Sequence, residues 1–139
     1  MSNWLRAQVS TEIKNPKRNL FDKACEDMGY KADFSLKEVH GSFSFEASEP
    51  VDCVLVDKNT GKPSTIGFNF SRGADNKIVL SVTGDFWNFD CTGKEFMKRL
   101  AMHYNREMII ESMEEQGFII EENRVEEKEV VLVGRRMAA

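Results

Sequence analysis

The side chains best suited to proton transfer in this 139-residue chain are His103 and the adjacent Tyr104, with Asp85 and Asp90 upstream as carboxylates that could face them. A histidine can exchange a proton near neutral pH, and a carboxylate within about 3 Å would orient it. The pair expected for a small enzyme is His103 with Asp85, in hydrogen-bond reach across a cleft. Around them lie groups fitted to binding. Phe86, Trp87 and Tyr104 could stack an aromatic ring, and Arg72, Lys94 or Arg99 could meet an anionic group, as a nucleotide ligand would require. No nucleophile elbow, phosphate-cradling glycine loop or carboxylate-rich metal motif is present.

Cys25, Cys53 and Cys91 are odd in number and widely separated, and with His40 and His103 they match no zinc or redox spacing. The expectation is free thiols, no metal and no cofactor. A net charge of -4 argues against a nucleic-acid partner, where basic residues supply most of the affinity. No apolar run reaches the about 18 to 20 residues of a membrane helix, and the opening residues lack the blocks of a signal peptide, so a cytoplasmic setting is expected.

These residues are positioned by a helix with both ends marked in the sequence. Thr92 and Glu95 form a capping box, in which the Glu95 side chain would return to the Thr92 amide, and Gly117 stops the helix that runs from Phe96 to Gln116. Phe96, Met97, Leu100, Ala101, Tyr104 and Met108 make a stripe for packing on a sheet. Met102, Ile109 and Met113 make a second stripe, either covered by a following strand or used as a partner surface. Eight glutamates between Glu111 and Glu129, Glu114 and Glu122 among them, face only Arg124 and Lys128; this is a solvated face or a docking site for a basic partner.

The remaining chain reads as strands with one further helix. Leu5 to Ile13 alternate as a first strand, and Asn15-Pro16 opens a helix carrying Leu20, Phe21, Ala24, Cys25 and Met28, ended by Gly29. Phe43 and Phe45 alternate weakly. Val51 to Val56, Ile66 to Phe70 and Lys77 to Thr83 form a meander with turns at residues 57–63 and 72–76, and the aromatic connection 85–90 leads into the capped helix as a lid or as a ligand-lining loop. Two apolar runs after Gly117 form a final hairpin. The whole is expected to be a single two-layer α+β domain over residues 1–139, an antiparallel sheet of about six to seven strands with two helices on one face.

Ile66-Gly67-Phe68, Asp85-Phe86-Trp87, the run from Phe96 to Tyr104 and Glu115-Gln116-Gly117-Phe118, with Trp4 near the start, resemble an uncharacterised family named from a hypothetical open reading frame of plastids and cyanobacteria. The chain departs from that family's pattern at Met102, where a glutamine is expected, and at Asn105, where a small residue is. The resemblance implies the α+β fold, a bacterial, phage, cytosolic or plastid-stroma setting, no established activity, and, through neighbouring genes for AAA-type ATPases, an accessory role. Three functions follow: a non-enzymatic accessory or regulatory protein that binds a partner or itself through helix 96–116 and flank 111–129; a small-ligand domain using loop 85–90; and a small enzyme using His103 and Asp85.

Overall fold

The computed structural model describes residues 4–8, 13, 15–42, 48–87, 89–126 and 129–136. Its strands are β1 (Trp4–Gln8), β2 (Tyr30–Asp33), β3 (Glu38–Val39), β4 (Glu49–Pro50), β5 (Cys53–Asp57), β6 (Pro63–Arg72), β7 (Ile78–Asp85), β8 (Phe118–Glu126) and β9 (Glu129–Arg136). Helix α1 (Arg18–Asp27) follows β1, and α2 (Gly93–Glu115) follows β7. This is an α+β fold with antiparallel pairing throughout. One sheet of six or seven strands was the expectation, and the structure divides the strands instead into a five-stranded sheet in the order β1-β7-β6-β5-β2 and two separate pairs, β3-β4 and β8-β9.

Alternation along the main sheet decides its two faces. Cys53 and Leu55 of β5, Ile66 and Phe68 of β6, and Leu80 and Val82 of β7 join one core with Leu20, Phe21, Ala24 and Cys25 of α1 and Phe96, Met97, Leu100, Ala101 and Tyr104 of α2. Both helices therefore cover the same face. Phe21 meets Phe68 and Phe70 edge-on at 5.3 and 5.2 Å between ring centres. On the opposite face, Val39 of β3, Val51 and Val54 form a second small cluster. A Cβ on Gly67 would lie 2.7 Å from a Val51 methyl, so the absent side chain lets this second layer close on β6.

Local signals act with two departures. Gly29 and Gly117 sit at φ +92 and +86 and end the helices as expected. In the turn from β5 to β6, the Asp57 carboxylate accepts from the Asn59 and Thr60 amides. Asn15, expected as the cap of α1, instead pairs with β7: its amide donates to the Ile78 carbonyl and its side-chain oxygen accepts from the Ile78 amide. The helix then begins three residues later, with Lys17 at its N-cap and no side-chain cap bond. At α2, Thr92 Oγ1 accepts from the Glu95 amide, but the Glu95 carboxylate meets the Thr92 hydroxyl rather than the Thr92 amide. The expected strand through Phe43 and Phe45 and residues 9–12 of the expected first strand lie outside the described residues.

Candidate functional site

The connection from β7 to α2 places the aromatic candidates. Phe86 is buried, its ring 5.4 Å from Phe89 and 5.9 Å from Phe96, and Phe89 also reaches Phe96 at 6.2 Å. The inner side of this loop is thus packed into the core rather than held open. Trp87 faces outward at 48% exposure. Arg99 reaches back to Asp90 at 3.5 Å across a wet surface, a contact worth little energetically. Lys94 is exposed. Arg72 is not part of this group: it pairs with Ile78 at one end of the β6–β7 ladder while Gly84 pairs with Ile66 at the other, about 20 Å away over six residues. It contacts Asn76 in its own turn.

Asp85 and His103 lie on opposite sides of the main sheet. Gly84 is paired with the core residue Ile66, so the next side chain, Asp85, projects to the other face. There its fully buried carboxylate accepts from the Ser42 and Trp87 amides at 2.9 and 3.0 Å. His103 lies on α2 against α1, on the helical side. The expected His103–Asp85 pair is therefore not assembled, because the two side chains lie on opposite faces of the main sheet.

His103 has other partners, which sequence reading did not identify. Arg106 Nη2 lies 3.1 Å from His103 Nδ1 and 3.1 Å from Asp27 Oδ2, at the last residue of α1. A guanidinium only donates, so His103 Nδ1 is an acceptor and the neutral ring carries its proton on Nε2. Burial and then the Arg106 charge hold the imidazolium pKa below its ordinary 6.5, against the opposing pull of Asp27. Glu107 shares this junction; burial, followed by hydrogen bonding with Asp27, raises its carboxyl above the ordinary 4.5. The spacing of His103, Arg106 and Glu107 by three and four is the visible signal for one helix face, but their partner Asp27 is 76 residues upstream and carries no local mark. With Nδ1 engaged by Arg106, His103 is held as a structural link between helices rather than as a free base.

Tyr104 is buried, and its hydroxyl accepts from the Lys17 amide at 3.0 Å. About two turns further on α2, near the same end of α1, Glu111 meets Lys17 Nζ at 3.3 Å and Asn19 Nδ2 at 3.2 Å. Both residues thus hold the start of α1.

Beyond Tyr104 the helix leaves the core. At 23 residues α2 spans about 35 Å, whereas the eight residues of β7 span about 27 Å. Met108, expected in the core stripe, is consequently 45% exposed, as is Ile109. Met102 is half-buried. Met113 is covered by the final hairpin: its terminal methyl occupies the space a side chain at position 134 would take, and Gly134 leaves it free. Where α2 runs beside α1 there is a surface depression of about 350 Å³ lined by Lys23, Glu107, Ile110, Glu111, Glu114 and Glu115. Glu122, on β8, is ion-paired with Arg124.

A family described as a protein of unknown function, DUF1257, matches residues 24–133. The chain belongs to this family. The DUF1257 match takes in Asp27, the aromatic connection, all of α2 and most of the final hairpin, and leaves out the Lys17 and Asn19 contacts. No curated protein and no solved structure matches the chain.

The chemistry open to the DUF1257 surface is set by charge and packing. Cys25, Cys53 and Cys91 are free and buried. Burial pushes the Cys53 thiol up to about 12 and raises Cys25 well above its ordinary value, so both stay protonated and act as core residues. No helix among the described residues is long and apolar enough to cross a membrane. The depression on α2 is acidic, with exposed Met108 next to Glu111 and Glu115 on the helix surface and Ile109 on the opposite side of the helix.

Proposed function

We propose that this chain is a non-enzymatic accessory protein that docks a basic, amphipathic segment of a partner protein on the C-terminal half of α2. The observation that carries this reading is the depression lined by Glu107, Glu111, Glu114 and Glu115 around Ile110, with Lys23 as its single base. Glu114 and Glu115 are exposed and hold no ion pair among the described residues, so their charge is available to a partner. Met108, three residues before Glu111 on the helix surface, adds apolar area beside it. A helix with lysines on one side and leucines on the other satisfies both features, and the charge steers its approach. Met102, Ile109 and Met113 lie on the opposite side of α2, and Glu122 on the hairpin, so none of them belongs to this surface.

The test is fluorescence anisotropy of a labelled Lys/Leu amphipathic peptide against the wild type and the double variant Glu114→Lys/Glu115→Lys. Binding that weakens with salt, and weakens by about tenfold or more in the variant, is the expected result, since each reversal removes about 1 kcal/mol. Glu111 is left intact because it also holds the start of α1. Absence of binding to the wild type, or equal binding to both proteins, would overturn the reading.

A second reading has one observation in its favour. At 48% exposure, Trp87 presents part of its ring surface to solvent, where the aromatic base of a small ligand such as a nucleotide would stack. Trp87→Phe and wild type, titrated with ATP by calorimetry, would separate it: heat lost in the variant supports a stacked ligand, and no heat in either protein removes it.

A further inference from the structure

We propose that two copies of this chain pair through the outer face of the β8–β9 hairpin. The hairpin is long, nine and eight residues, yet it joins neither other sheet. A two-stranded ribbon on its own is only marginally stable in water, and needs cover on at least one face. Its inner face receives that cover from the end of α2, where the Met113 terminal methyl sits against Gly134.

The outer face has a composition that fits itself. Ile119 is paired across the ladder with Arg135, and Glu122 with Val133, so these four share one side. Ile119 and Val133 are each 40% exposed. Around them Arg135 is bonded to Glu121, and Arg124 to Glu122. Acid and base thus alternate about two apolar residues. A two-fold axis through such a face sets each glutamate near an arginine of the other copy while the isoleucines and valines close together, which is the self-complementarity an isologous contact requires. A uniformly acidic or basic face would repel its copy; this one does not.

Size limits the strength of the contact. A nine-residue ribbon two strands wide offers roughly 300 Å² per copy, below the about 800 Å² per partner of a standard interface, so the dimer dissociates on dilution. The inference stands apart from the acidic depression, which lies on another face of α2.

Sedimentation velocity over a concentration series tests it, using the full chain. Wild type should shift from monomer to dimer with concentration, and Ile119→Asp should remain monomeric at every concentration with unchanged far-UV circular dichroism. Should Ile119→Asp lose its fold, Arg135→Glu and the swapped double variant Glu121→Arg/Arg135→Glu decide: the single charge reversal should abolish the dimer and the swap should restore it. A wild type that stays monomeric throughout, or a dimer that survives both Ile119→Asp and Arg135→Glu, would overturn the proposal. Peptide binding on α2 should be the same in Ile119→Asp as in wild type, which keeps the two surfaces separate.

Discussion

The Tyr104 hydroxyl accepts a hydrogen bond from the Lys17 backbone amide at 3.0 Å, so a side chain of the long helix serves the first turn of the short one. The start of α1 has no capping side chain of its own, because Asn15 is committed to Ile78. Removing only the hydroxyl should therefore cost stability without opening a cavity. Tyr104→Phe is expected to lower the unfolding free energy by about 1 to 2 kcal/mol in urea melts, since it leaves a donor unmatched. An unchanged midpoint would show that this bond is not needed.

The core stripe of α2 allows a larger effect. Leu100 is 1% exposed within the cluster shared by both helices and the main sheet. Leu100→Ala should destabilise by about 2 to 5 kcal/mol, measured by the same melts. Met108→Ala, at an exposed site on the same stripe, should cost less than about 0.5 kcal/mol. Equal losses would contradict the placement of Met108 outside the core.

Gly67 tests the second face of the sheet. A Cβ there would meet the Val51 methyls at 2.7 and 2.9 Å and the Cys53 carbonyl at 2.8 Å. Gly67→Ala should cost about 1 to 3 kcal/mol through overpacking. Pairing it with Val51→Ala should recover part of that loss, although the carbonyl contact remains.

The junction of Asp27, His103, Arg106 and Glu107 gives two pH responses of opposite sign. The His103 pKa is lowered in the fold, so its contribution is full above about pH 6.5 and is lost as pH falls through the folded value. The Glu107 pKa is raised, so its contribution is full below about pH 4.5 and is lost as pH rises through the folded value. His103→Gln should flatten the acid side of the stability profile, and Glu107→Gln should gain on wild type as pH rises toward neutral. Urea midpoints across pH check both; parallel profiles for wild type and the two variants would contradict the junction.

How far these features could be read in advance depends on the range of the signal. The α2 cap at Thr92, the stops at Gly29 and Gly117 and the apolar stripes are local, with period and turn chemistry in adjacent residues. They gave the two helices and most of the strands. The division of the strands into three sheets was hidden, because whether β8 and β9 join β1 or stand apart is set by the overhang of α2 and not by their own alternation. Short strands such as β3 and β4 have too few residues to show a period. Among the site residues, the failed His103–Asp85 pairing turned on which face of β7 Asp85 occupies, and the Asp27 partnership joins two helices across a long separation. The acidity around Glu114 was legible, since charge is written in the residues themselves; the stripe of Met102, Ile109 and Met113 was not, because its spacing does not say that the final hairpin covers Met113 and leaves Ile109 exposed.

The most direct test of the docking account maps where the basic segment lands. Isotope-labelled protein titrated with the Lys/Leu amphipathic peptide, followed by amide chemical shifts, should show changes confined to Lys23 and to Glu107 through Glu115, fading as salt is raised. Changes centred on residues 85–90, or none at all, would contradict it.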